Sequence, residues 1–157
     1  MATTRTIETI DELKELVGQE LGVGGWFQIT QERVDAFADV TGDHQWIHVD
    51  PARAANTPFG GTIAHGHLTL SIQSLLRQDW EGIQVDLHPK MGINYGLNRV
   101  RFISPVRVGK RIRLRTKLLS VEEAGSDAYQ LTYQQTVEIE GQERPAMVAE
   151  TIVRLYL

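Results

Sequence analysis

Hydrophobic periodicity changes once along this chain, and the change dictates its fold class. From about Thr62 to Asp79 no proline interrupts the sequence, and Leu68, Leu70, Ile72, Leu75 and Leu76 spread around most of a helical circumference. A helix apolar on most sides is a buried one. Beyond it the period becomes two. Ile93, Tyr95 and Leu97, then Val100 and Phe102, fit a strand pair or one bulged strand ending at Pro105. Ile112, Leu114, Thr116 and Leu118 alternate with Arg111, Arg113, Arg115 and Lys117. Tyr129, Leu131, Tyr133, Val137 and Ile139 carry the alternation to a turn at Glu140-Gly141, and Ala146 to Leu157 forms a last strand. With a strand at Gly24 to Ile29, this predicts an α+β domain in which an antiparallel sheet of about five strands wraps a long central helix.

The first sixty residues supply local punctuation. Thr9-Ile10-Asp11-Glu12 is a capping-box pattern, followed by Leu13, Leu16 and Val17 on one face and by Gly18 to end a short helix. Thr30 can cap a helix that buries Val34, Phe37 and Ala38 and stops at Thr41-Gly42-Asp43. Asp50-Pro51 starts a further turn or two, and Asn56 to Gly61 reads as a loop.

A length of 157 residues suits one domain, 1–157, able to bury a core without staples. The chain has no cysteine, which excludes a disulfide framework, a thiol nucleophile and a thiolate-bound zinc. Met1 to Thr6 is polar and runs into acidic residues, so no secretion signal is expected; the apolar runs are far too short for a membrane span. A soluble, cytoplasmic protein is the default. The formal net charge of −4 argues against a nucleic-acid partner. Even so, nine of the sixteen basic residues fall between Lys90 and Lys117, and no acid occurs between Asp86 and Glu122, so this stretch could offer positive potential to a phosphorylated ligand.

Chemistry is concentrated in Phe37 to Pro51, where Asp43 and His48 stand five residues apart on a loop between two short helices. A carboxylate and an imidazole so placed can converge on one water, since their ordinary pKa values bracket weakly acidic conditions. The ordinary reading of an arbitrary Asp and His is a turn cap and a satisfied ring. The local pattern shifts that balance. Phe37, Thr41-Gly42-Asp43, Ile47 and His48 resemble the hydratase signature of the MaoC-like family. Phe59-Gly60-Gly61-Thr62-Ile63-Ala64-His65-Gly66 is similar to that family's approach to its central helix, and Arg101 to Gly109 to its strand-and-turn motif. The departure is Gln45-Trp46, where the family usually has Asn-Pro.

The resemblance implies a hot-dog fold and the reversible hydration of a trans-2-enoyl-CoA to an (R)-3-hydroxyacyl-CoA, without a cofactor. Asp43 and His48 would then be the catalytic pair, and the Gly66 amide would bind the thioester oxygen. Gln45 and Ser74 would support them, Ser74 from the central helix near the carboxylate. A homodimer with the acyl site near the subunit interface is implied as well. Lys90, Arg99 and Arg101 are the candidates for coenzyme A phosphates, while most of Arg111 to Lys117 should form a solvent face. No metal is expected: His65 and His67 are two residues apart, on different faces of a helix. Two rivals stand beside this reading. One is a non-catalytic acyl-CoA-binding or scaffold subunit. The other is a thioesterase, disfavoured because residues 64 to 76 hold no Asp or Glu.

Overall fold

The computed structural model describes residues 5–157; Met1–Thr4, part of the polar start on which the absence of a secretion signal was read, lie outside the described residues. Among the described residues no helix is long and apolar enough to cross a membrane.

The local signals act as their chemistry requires. Helix α1 (Ile10–Lys14) follows the short strand β1 (Thr6–Ile7), and Thr9 and Glu12 cap its first turn reciprocally, each backbone N–H donating to the other's side chain at 3.2 Å. Strands β2 (Glu20–Val23) and β3 (Phe27–Gln28) lead to α2 (Gln31–Thr41), whose Thr30 hydroxyl accepts from the Arg33 N–H at 3.2 Å. Gly42 ends α2 in the left-handed region, at φ 77°, so the chain turns sharply just before Asp43. Two single turns follow, α3 (Trp46–Val49) and α4 (Pro51–Ala54), the second capped by Asp50.

The central helix is shorter than the periodicity predicts. Instead of running from Thr62 to Asp79 it forms α5 (Gly66–Ser71), an irregular turn, and a 3-10 turn at Leu75–Arg77. Two local causes are visible. The Ser71 hydroxyl donates to the His67 carbonyl at 2.6 Å, a bond that competes with the helix ladder. The following backbone also docks onto Gly24-Gly25: the Gly25 N–H donates to the Gln78 carbonyl at 2.8 Å, and a Cβ on Gly24 would lie 1.8 Å from the Leu76 oxygen. Only glycine permits that approach.

Short strands β4 (Glu81–Gly82) and β5 (Gln84–Val85) precede four long ones, β6 (Met91–Phe102), β7 (Arg111–Glu123), β8 (Ala128–Ile139) and β9 (Met147–Tyr156). The main sheet is antiparallel, in the order β4-β2-β7-β8-β9-β6, and β3 also pairs with β7. The five expected strands are thus β3 and β6 to β9, with β2 and β4 added; β1 and β5 form a separate two-stranded parallel sheet. Strand β6 is a single bulged strand, its register shifting between Asn94 and Gly96 and again between Asn98 and Arg101.

The inner face of the sheet meets the helical segment through Leu68, Leu76, Leu114, Val137, Ala149 and Met147. A second cluster, around Leu13, Leu21, Leu118 and Leu131, lies under α1. This is the hot-dog arrangement, a sheet wrapped about a buried helical segment. On the outer face the basic residues of β7 meet acids from other strands. Glu138 receives Arg113 Nε at 2.6 Å and Arg115 Nε at 2.9 Å, Arg115 also reaches Glu20 at 2.6 Å, and Arg111 pairs with Glu140. Arg111, Arg113 and Arg115 of this basic strand are thus paired in space.

Candidate active site

Three elements bring the chemistry together. The Gly42 turn releases Asp43 from α2, the single turn α3 carries His48, and the chain entering α5 carries His65 and Gly66. One donor atom from each of Asp43, His48 and His65 lies within 4.8 Å of the others. Asp43 is exposed in the single chain and accepts from the Gln45 N–H at 3.3 Å; both histidines are buried.

Backbone partners set the state of each imidazole. His48 Nδ1–H donates to the Ile63 carbonyl at 2.7 Å, which leaves Nε2 without a proton in the neutral ring. Burial is the main cause holding the His48 pKa below the ordinary histidine value; neighbouring His65 adds to this, against the Ile63 carbonyl and the Asp43 charge. The ring is therefore a neutral acceptor at pH 7. His65 stacks on it with centroids 3.8 Å apart and planes at 24°, and donates through Nε2–H to the Asp43 backbone carbonyl at 2.9 Å. Its Nδ1 is buried and has no hydrogen-bond partner among the described residues. Gln31 anchors the assembly from below: its amide donates to the His48 carbonyl at 2.7 Å and accepts from the buried Thr62 hydroxyl at 2.6 Å.

Proximity alone would let Asp43, His48 and His65 hold a metal ion, but their orientation is poor for it. Imidazole lone pairs lie in the ring plane, so near-parallel rings send them side by side rather than toward one point at the roughly 2.0–2.1 Å of a zinc–nitrogen bond. Convergence would break the hydrogen bonds to Ile63 and Asp43.

His48 and Gly66 face a common cavity of about 310 Å³, whose wall also includes Phe59, Thr69, Phe102 and Val106. Gly66 opens α5, so its N–H has no acceptor within the helix. A Cβ at this position would lie 2.8 Å from the Phe102 ring, so glycine is also required by packing.

The other expected site residues are placed differently. Gln45 is exposed, and its side chain makes no hydrogen bond among the described residues, although its carbonyl accepts from the His48 N–H at 3.0 Å. Ser74 lines a second, larger cavity and not the one that holds His48. Arg99 and Arg101 lie exposed near the Phe102 end of β6, beside the smaller cavity. Lys90 sits at the opposite end, roughly 36 Å away along the strand, where it donates to the Leu157 carbonyl at 2.6 Å. One protomer cannot gather all three on a single phosphate group. Arg107 is a cation that the sequence reading passed over as a ligand: it lies over Gly60-Gly61, beside Phe59. The His65 stack and the Gln31 anchor were also missed. His65 stands next to Gly66 in the motif, but no sequence signal joins Gln31 to His48.

Comparison with known proteins identifies the family. Residues 12–139 match the model of the MaoC like domain. Over 150 residues the chain is 50% identical to 3-hydroxyacyl-thioester dehydratase Z of Mycobacterium tuberculosis, covering 96% of this chain and 97% of that protein. The crystal structure of the (R)-hydratase from A. caviae involved in PHA biosynthesis superposes with a TM-score of 0.65 at 29% identity, covering 87% of this chain and 94% of that one. A monoamine oxidase regulatory protein from Archaeoglobus fulgius, 22% identical, shares the fold with a TM-score of 0.77 over 98% of this chain and 97% of its own. The chain belongs to the MaoC-like dehydratase family of hydro-lyases.

Proposed function

We propose that this protein catalyses the reversible addition of water to a trans-2-enoyl-CoA, giving an (R)-3-hydroxyacyl-CoA, with Asp43 and His48 as the catalytic pair. The observation that carries the reading is the neutral, buried His48: its Nδ1–H is committed to Ile63, which leaves Nε2 as the free acceptor of a ring that lines the same cavity as Gly66. A water held between Nε2 and the Asp43 carboxylate is oriented by two acceptors. As its oxygen bonds to Cβ, the pair takes one proton from it and returns one to Cα, and the net change is addition of water. Negative charge grows on the thioester oxygen meanwhile, and the Gly66 N–H is the preorganised donor for it. Stacked His65 is a positioning residue: it fixes the backbone at Asp43 and packs its ring flat against His48.

Two copies of the chain pair along β6 in this proposal. The strand is an edge; Met91 and Ile93, with Tyr95 against Arg154, are 51%, 39% and 53% exposed on one face, and Leu97, beyond the bulge and paired with Thr151 on the other face, is 48% exposed. A long apolar edge of this kind is an aggregation hazard unless a partner covers it. Coenzyme A phosphates would meet Arg99 and Arg101, with Lys90 reachable only from another part of the dimer. The test of the reaction is conversion of crotonyl-CoA by the wild-type protein with analysis of product chirality. An (R)-3-hydroxy product is expected; the (S) product, or release of free CoA, would refute the assignment.

A further inference from the structure

A polar row crosses the inner face of the sheet where a core is normally apolar. Thr116 and Gln135 oppose each other across β7 and β8, and Tyr133 and Thr151 across β8 and β9. The Thr116 hydroxyl donates to Gln135 Oε1 at 2.6 Å, whereas Gln135 Nε2 reaches the Thr151 hydroxyl only at 3.4 Å. Leu114, Val137 and Ala149 lie on one side of the row, Leu118 and Leu131 on the other, so it separates the two core clusters. The long 3.4 Å contact leaves the Gln135 amide with hydrogen-bonding capacity to spare, and the Tyr133 hydroxyl makes no side-chain hydrogen bond among the described residues. Spare polar capacity of this kind on an inner face points to a ligand.

The larger cavity, about 710 Å³, lies over this row. Its helical wall includes Leu70, Gln73, Ser74 and Arg77. The Arg77 guanidinium stands 4.2 Å over the Trp80 ring and has no ion-pair partner among the described residues. Asp86 is the one carboxylate lining the cavity, and it is engaged with His88, accepting from its N–H at 3.2 Å and lying 3.2 Å from its Nδ1. Burial pushes the Tyr133 hydroxyl up to about 12 despite the charge of Arg77, so it stays a donor. A guanidinium, a phenol and the Gln135 amide thus line one space. Both cavities open along the same segment, Gly66 and Thr69 lining the smaller and Leu70 and Ser71 the larger. Arg77 is eleven residues beyond Gly66, at the far end of that segment.

We infer that the larger cavity is the distal acyl subsite and selects a medium-length chain carrying a carboxylate at its far end, which Arg77 binds with Tyr133 and Gln135. The inference rests on the enoyl-thioester reading above. Charge-assisted hydrogen bonds to a planar guanidinium are the strong kind, and a terminal methyl group would leave Arg77 without an acceptor.

The test compares kcat/KM of the wild-type protein for trans-2-decenoyl-CoA and for its counterpart bearing a carboxylate in place of the terminal methyl, with crotonyl-CoA as the control for the reaction itself. A preference of about tenfold or more for the carboxylated chain is expected, abolished in Arg77→Met and reduced in Tyr133→Phe. Because the readout is a ratio of two substrates, a general loss of activity in either variant cancels. Hydration of crotonyl-CoA with equal or better use of the methyl-ended chain overturns the inference, as does an unchanged ratio in Arg77→Met. If no enoyl thioester is hydrated, the reaction assignment has failed. Equilibrium binding of the saturated chains to the wild type and Arg77→Met then decides the subsite: tighter binding of the carboxylated chain by the wild type alone supports it, and equal binding overturns it.

Discussion

Replacing Gly66 by alanine separates the two duties of that residue. The added Cβ would sit 2.8 Å from both Cγ and Cδ2 of Phe102 and 3.0 Å from Cε2, so something must move. The yielding group is a ring 45% exposed rather than a backbone, and the substitution belongs at the mild end of overpacking, about 1 kcal/mol. For a domain of this size that lowers the melting temperature by roughly 2–4 °C. Catalysis should suffer far more. The displaced ring lines the same cavity as the Gly66 N–H, and denying a thioester oxygen that donor costs about a hundredfold or more in kcat. Thermal melting and steady-state hydration of crotonyl-CoA measure both effects on one preparation. In Gly66→Ala/Phe102→Ala the two changes should be strongly coupled in stability, because the clash is gone, and kcat should largely recover, because alanine keeps the backbone N–H and no displaced ring blocks it. A Gly66→Ala protein that melts early yet keeps kcat within about threefold of wild type would refute the reasoning and leave Gly66 a packing residue only.

Further outcomes follow from the same geometry. The His48 pKa lies below its unfolded value of about 6.5, chiefly through burial. The acid limb of kcat/KM governed by this ring should therefore fall below that value. Between the two pKa values the unfolded chain binds the extra proton, so the stability His48 contributes is complete above pH 6.5 and is lost as pH falls through the window; denaturant titrations at several pH values in wild type and His48→Gln check the sign. Gln31→Leu removes the bonds to the His48 carbonyl and the Thr62 hydroxyl, and kcat should drop by about tenfold while circular dichroism stays native. Glu138→Gln leaves Arg113 and Arg115 without their shared carboxylate, costing about 1 kcal/mol by urea melting, with less effect at high salt. Ile93→Lys with Tyr95→Lys should convert a dimer to a monomer in light scattering; an unchanged mass would refute pairing along β6.

What the sequence disclosed was mostly what is local. The Thr9, Thr30 and Asp50 caps and the Gly42 stop each involve residues within four positions of one another, and each forms as its side-chain chemistry requires. Asp43, His48 and Gly66 were found through motifs, and the structure places His48 and Gly66 on one cavity with Asp43 close by. The length of the central helix was misjudged because apolar spacing says nothing of backbone docking at Gly24-Gly25, about fifty residues earlier. The ion pairs of β7 were hidden for a similar reason: the carboxylates that meet Arg113 and Arg115 come from β8 and from Glu20, which is 95 residues from Arg115. The polar row on the sheet was hidden too, since Thr116 fits an alternating strand, and only pairing with Gln135 reveals the band.

The assignment of the catalytic pair is tested most directly by comparing wild type, Asp43→Asn and His48→Gln for hydration of crotonyl-CoA alongside equilibrium binding of butyryl-CoA. Both variants should bind the saturated thioester within a few-fold of wild type and lose at least a thousandfold in kcat, an effect of the size ordinary for removing an acid-base group together with its hold on the water. Folded variants that retain wild-type turnover would contradict the account and return Asp43 and His48 to the role of a turn cap and a buried structural ring.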